Sequence, residues 1–88
     1  MSSIIRLNFD NIVHMSFDKT LKELRIERGL SQQQLASKLG QSQSAIAKWE
    51  LSKTEPTASA IIKVAKFFDV SSDFLLGITD EYGNRTDD

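Results

Sequence analysis

A chain of 88 residues with 11 Lys and Arg against 12 Asp and Glu, net charge −1, and 40% hydrophobic residues suits one small domain around a single core. It has no cysteine, so neither a disulfide nor a thiolate metal site can support it, and a catalytic cleft with a lid has little room. No apolar run approaches the roughly 20 residues that cross a bilayer, and the start lacks the basic-then-apolar layout of a secretory signal, so a soluble, cytoplasmic protein without a membrane partner is expected.

In chain order, SIIRLNF alternates apolar and polar residues at Ile5, Leu7 and Phe9, Asp10-Asn11 suits a turn, and Val13, Met15 and Phe17 alternate again. This pattern predicts a β-hairpin arm over residues 1–14. A lone hairpin is marginally stable, so the arm needs the domain or a second subunit against it. Phe17 to Arg28 reads as a first helix with Phe17, Leu21 and Leu24 inward and Gly29 at its end. Leu30 stands where a hydrophobic staple would meet Leu35.

The next stretch, SQQQLASKLGQSQSAIAKWE from Ser31 to Glu50, reads as two short helices around a tight turn. Ser31 and Gln34 have capping-box spacing, Leu35, Ala36 and Leu39 make one apolar face, and Gly40 supplies a left-handed close. Ser42 is a second N-cap. After it only Ala45, Ile46 and Trp49 are apolar, which leaves Gln43, Ser44, Ala47 and Lys48 on other faces. Pro56-Thr57 opens a fourth helix with Ala58, Ile61, Val64, Ala65 and Phe68 as its stripe, Ile62 and Phe67 off it, and Asp69 at the close. Ser71 caps a last short helix containing Phe74, Leu75 and Leu76, ended by Gly77. Residues 79–88 are acidic and polar, and a frayed tail is expected there.

Charge is unevenly spread. Between Met15 and Lys53 the bases Lys19, Lys22, Arg25, Arg28, Lys38, Lys48 and Lys53 outnumber Asp18, Glu23, Glu27 and Glu50, whereas from Thr54 onward acids dominate. Such polarity would turn the basic half toward phosphates and the acidic half away. The uncovered face of Gln43, Ser44 and Lys48 has matching chemistry: Gln pairs with adenine N6/N7, Lys donates to guanine O6/N7, and Ser serves either. On polarity alone the same face reads as solvated surface. Enzyme chemistry finds no footing. The one histidine, His14, lies outside the predicted domain, and Glu23 and Glu27 have the spacing of surface charge pairs among Lys and Arg.

The segment LKELRIERGLSQQQLASKLGQSQSAIAKWE, continued by EP and VSSDFLLG, resembles the helix-turn-helix domain of the Cro and phage-repressor type, over about Phe17 to Leu76. The resemblance implies an all-α, five-helix, repressor-like domain spanning residues 15–78, with the N-terminal stretch as an added extension or arm and 79–88 as the tail. It implies no cofactor, no small-molecule substrate, and double-stranded DNA as partner, bound by a homodimer on a two-fold operator. Gln43, Ser44 and Lys48 would meet base edges, and Gln32, Ser42 and Lys53 phosphates. Arg25 and Glu50 match an internal ion pair joining the first helix to the recognition helix. One departure stands out: the family's glycine after the recognition helix is missing from Leu51-Ser52-Lys53-Thr54, which puts that turn in doubt. MSFDKTLKELR also resembles a family start, which makes Met15 an alternative initiator. A rival function is an antitoxin or adaptor that keeps this fold and binds protein, since a fold does not fix function.

Overall fold

The computed structural model describes residues 17–79, 82, 84 and 85. The hairpin expected over 1–14 lies outside them. Five helices run in order among the described residues: α1 Phe17–Glu27, α2 Gln32–Leu39, α3 Gln43–Glu50, α4 Ala58–Phe68 and α5 Ser72–Leu75.

Each helix after the first starts on a hydroxyl. The Oγ of Ser31, Ser42 and Ser71 accepts from the amide three residues on at 3.0 Å, and Thr57 does the same at 3.1 Å. At α2 the box is reciprocal, because Gln34 Oε1 accepts from the Ser31 amide at 2.8 Å. These caps satisfy first-turn donors that no carbonyl of the same helix can reach.

The helices also close alike. Past α2, the Gln41 amide reaches back to the Ala36 carbonyl at 2.9 Å while Gly40 takes a φ of 68°. Past α3, the Lys53 amide reaches the Lys48 carbonyl at 2.9 Å, and Ser52 takes the left-handed position with φ 58°. The turn in doubt therefore forms in the usual geometry, with serine strained where glycine would be at ease. Asp69 closes α4 in the same way, with φ 57°. At the chain end, where fraying is expected, Thr79 and Arg85 form an isolated antiparallel bridge.

The core gathers Leu21, Leu35, Ile46, Val64 and Leu75, all fully buried, with Phe68 and Trp49 at its margins. Phe17 meets Trp49 edge-to-face with ring centroids 6.1 Å apart, tying the start of α1 to the end of α3. On α4 the inward line is Ala60, Val64 and Phe68 at successive steps of four, flanked by the half-buried Ile61 and Ala65. Ala58 is exposed instead of buried, because it precedes the point where the helix meets the core. Leu24 is likewise half-buried against the core. Phe67, off the stripe, is nonetheless half-buried against the core. It packs edge-on against Phe68 at 4.9 Å, under the Arg28 guanidinium at 5.6 Å, which also donates to the Phe68 carbonyl at 3.5 Å. Ile62 does remain exposed.

Arg25 joins α1 to α3. Its Nε donates to Glu50 Oε2 at 2.7 Å, Nη2 to Oε1 at 3.0 Å, and Nη1 to the Leu30 carbonyl at 2.8 Å. The two side chains are 12% and 4% exposed, so this is a largely buried bidentate pair that also fixes the turn between α1 and α2. Hydrogen bonding to Glu50 raises the Arg25 pKa above its ordinary value; burial lowers it and the Glu50 charge raises it further. Any stability this shift adds is lost only as pH rises past the already high ordinary pKa of arginine, so the cation persists throughout the neutral range.

Arg25→Ala should lower unfolding free energy by about 3–5 kcal/mol, because it strands a buried carboxylate. Denaturant melts of the single and double Ala variants at 25 and 50 check this, with the double change costing much less than the sum. Ser52→Gly, relieving a left-handed serine, should add about 0.5–1 kcal/mol, read in the same melts. A loss on that substitution would mean the serine side chain contributes more than its strain costs.

Candidate nucleic-acid interface

Helix α3 is eight residues long and would be marginal in isolation, so its placement comes from packing. Ile46 and Trp49 are buried under it, Ala45 is half-buried against the core, and Glu50 is held by Arg25. With one side fixed, helical periodicity turns Gln43, Ser44, Ala47 and Lys48 outward. Gln43, Ser44 and Lys48 are exposed and Ala47 half-exposed, which leaves a small residue in the middle of the polar face. Ala45 faces inward with Ile46 and Trp49, as its place among the apolar residues of the helix requires. Leu51, 65% exposed, continues the outward line one turn beyond Ala47.

The residues expected at phosphates flank this face. Ser42 caps α3, and because its Oγ accepts from the Ala45 amide, its hydroxyl hydrogen stays available to donate. Lys53 is exposed in the loop after α3. Gln32, the first residue of α2, is half-buried and committed on both ends of its amide. Its Nε2 donates to Glu50 Oε1 at 3.0 Å, and its Oε1 accepts from Gln43 Nε2 at 2.8 Å.

An unbroken polar chain therefore runs from Arg25 through Glu50 and Gln32 to Gln43, from the inner join of α1 and α3 to the outer face. Sequence reasoning places Arg25 with Glu50 but misses both glutamine links. The available signal is slight: Gln32 and Gln43 both open their helices, and the glycine turn brings those helix starts together. The network uses one N–H of the Gln32 amide and one N–H of the exposed Gln43 amide, and leaves the second N–H of each and the Gln43 oxygen outside it. Among the described residues no group of acidic, histidine or cysteine side chains could hold a metal ion, and no helix is long and apolar enough to cross a membrane.

Comparison with known proteins agrees with this architecture. Residues 21–75 match a family model described as helix-turn-helix. The HTH-type transcriptional activator BcrR of Enterococcus faecalis is 42% identical over 62 residues, 70% of this chain and 30% of that protein. The HTH-type transcriptional regulator ImmR of Bacillus subtilis is 33% identical over 63 residues, 72% of this chain and 50% of that protein. The chain thus spans about half or less of these curated relatives. Among solved structures, the P22 c2 repressor in complex with a synthetic operator superposes with a TM-score of 0.67 at 29% identity, covering 70% of this chain and 94% of that one. A transcriptional regulator from Listeria innocua gives 0.68 at 30% identity over 75% of this chain and 62% of the other. With five helices in the same arrangement and the family model covering the whole helix-turn-helix, the chain belongs to the helix-turn-helix family of the Cro and phage-repressor type.

Proposed function

We propose that this chain is a sequence-specific DNA-binding regulator of transcription that lays α3 in the major groove. The observation that carries the reading is the polar outer face of Gln43, Ser44 and Lys48 on a helix whose other side is fixed by Ile46, Trp49 and Arg25–Glu50. A rigid helix with short and long polar groups around Ala47 suits readout of base edges. Gln32, Ser42 and Lys53 hold the helix in register through phosphates, helped by the first amides of α3. Support comes from the P22 c2 repressor, a structural neighbour bound to an operator. Repression follows where the occupied site overlaps a promoter. The relative BcrR, named an activator, illustrates that the sign of regulation depends on more than this fold.

In this reading residues 15–78 are the working domain, 1–14 an extension or arm and 79–88 an acidic tail. The chain acts in the cytoplasm, on double-stranded DNA and without a cofactor. Two copies occupy half-sites about one helical turn (~34 Å) apart, since a single small module buries little DNA. Exposed Ile62 on α4, with Leu76 and Ile78 after α5, supplies the apolar surface for pairing. Phe67, held beneath Arg28, does not.

Selection of bound duplexes from a random pool should return a two-fold site, with binding that weakens steeply as salt rises. On that site Gln43→Ala should lose about 1–3 kcal/mol of discrimination at one base pair per half-site. Lys53→Ala should weaken all duplexes alike and reduce the salt slope by about one. Enrichment of no duplex would contradict the reading and favour a protein partner. Sedimentation of the free chain should show a dimer at tens of micromolar that Ile62→Asp dissociates; an unchanged dimer would move the interface elsewhere.

A further inference from the structure

Leu51 is chemically out of place among the residues that α3 turns outward. Helical periodicity sets Ser44 and Leu51 two turns apart on one line of the surface, with Ala47 and Lys48 between them. The Leu51 amide still donates to the Ala47 carbonyl at 3.1 Å, so this residue continues the helical line. The amides of Ser52 and Lys53 then reach back to the Trp49 and Lys48 carbonyls at 3.1 and 2.9 Å, which holds the end of the helix in place. Leu51 is 65% exposed, more than any other large aliphatic side chain among the described residues. A single exposed leucine is ordinary on a protein surface, and its place is what matters here. Ile26, Ile62, Leu76 and Ile78, the other exposed aliphatic side chains, belong to other elements, whereas Leu51 extends the polar face itself.

We propose that Leu51 packs on the C5-methyl group of a thymine in the major groove and is a further specificity-determining residue, acting without a hydrogen bond. The inference rests on the DNA-binding reading above. Base edges in the major groove present hydrogen-bond donors and acceptors, and one apolar group, the thymine methyl. A leucine pressed against a donor, an acceptor or a phosphate would leave that group without a partner. Against the methyl, both sides withdraw apolar surface from water. Seven residues of helix rise ~10 Å, less than the ~12 Å width of the groove, so Ser44 and Leu51 fit within one groove at once. The thymine then lies to one side of the base pair beneath Ser44. Adenine, guanine and cytosine carry no methyl there, so the contact favours thymine, whereas a phosphate contact would affect every sequence equally.

The test uses the full chain with its Leu51→Ala and Leu51→Met variants on the duplex that the unaltered chain selects. Each thymine in turn is replaced by deoxyuridine, which lacks only the C5-methyl. At one thymine per half-site the unaltered chain should lose about fourfold in affinity, the effect of one buried methyl. Leu51→Ala should show no loss at that thymine while responding as before at the others, and Leu51→Met, which keeps an apolar contact, should retain the loss. Comparing the proteins on the same duplexes cancels any effect of uracil on the DNA itself. With that base pair changed to C·G, 5-methylcytosine in place of cytosine should recover about fourfold for the unaltered chain and nothing for Leu51→Ala. Because Leu51 is exposed, the variants should melt as the unaltered chain does, which thermal scans check. A uracil profile identical in the unaltered chain and Leu51→Ala, or a Leu51→Ala that weakens every duplex alike, would overturn the methyl contact. A selected site without thymine would overturn it too. If the unaltered chain selects no duplex at all, the DNA-binding reading itself falls and takes the contact with it.

Discussion

The ion pair between Arg25 and Glu50 is the constraint on which the rest of the structure leans, because it decides where α3 sits relative to α1. Its geometry is bidentate, both partners are largely out of water, and the same guanidinium holds the Leu30 carbonyl at the start of the turn into α2. Small domains are stable by only about 5–15 kcal/mol, so losing one partner of such a pair removes a large share of the total. A pair of well-packed apolar residues can be as stabilising as a buried ion pair, so net stability alone is a weak account of its presence. The pair also offers something an apolar contact does not: an acceptor, Glu50 Oε1, that extends into Gln32 and from there to the outer face.

The same economy of short segments runs through the fold. Helices of eight residues do not persist by propensity, and α2 and α3 are held at one end by hydroxyl caps, at the other by left-handed closures, and between by Leu35, Leu39, Ile46 and Trp49. The strain of the domain is concentrated at Ser52 and Asp69, the two non-glycine residues with positive φ among those described. Ser52 immediately follows the helix that carries the polar face. Its conformation, stabilised by the hydrogen bond that the Lys53 amide donates to the Lys48 carbonyl, sets where exposed Lys53 leaves the helix.

Much of this was legible in the residues. Caps at Ser31, Ser42, Thr57 and Ser71 are short-range signals, and each reads directly from a hydroxyl before an apolar period. The burial of Leu21, Leu35 and Ile46 follows from periodicity. What was not legible depends on how helices meet. Phe67 falls off the α4 stripe yet is covered, because Arg28 from the end of α1 lies across it. Ala60 replaces Ala58 in the core because the contact with other helices begins one half-turn later. Thr20, a polar residue beside Leu21, is buried although its type suggests surface. The link from Gln32 to Glu50 spans eighteen positions and the link to Gln43 eleven, and no local pattern encodes either.

The central claim is that α3, fixed from inside by Ile46, Trp49 and the Arg25–Glu50 pair, presents its outward face to DNA. A crystal structure of the chain bound to its selected duplex tests this most directly. The account predicts the start of α3 in the major groove, Gln43, Ser44 and Lys48 against base edges, and Arg25 still bonded to Glu50. A complex in which α3 lies outside the groove, or in which Arg25 has left Glu50, would contradict it.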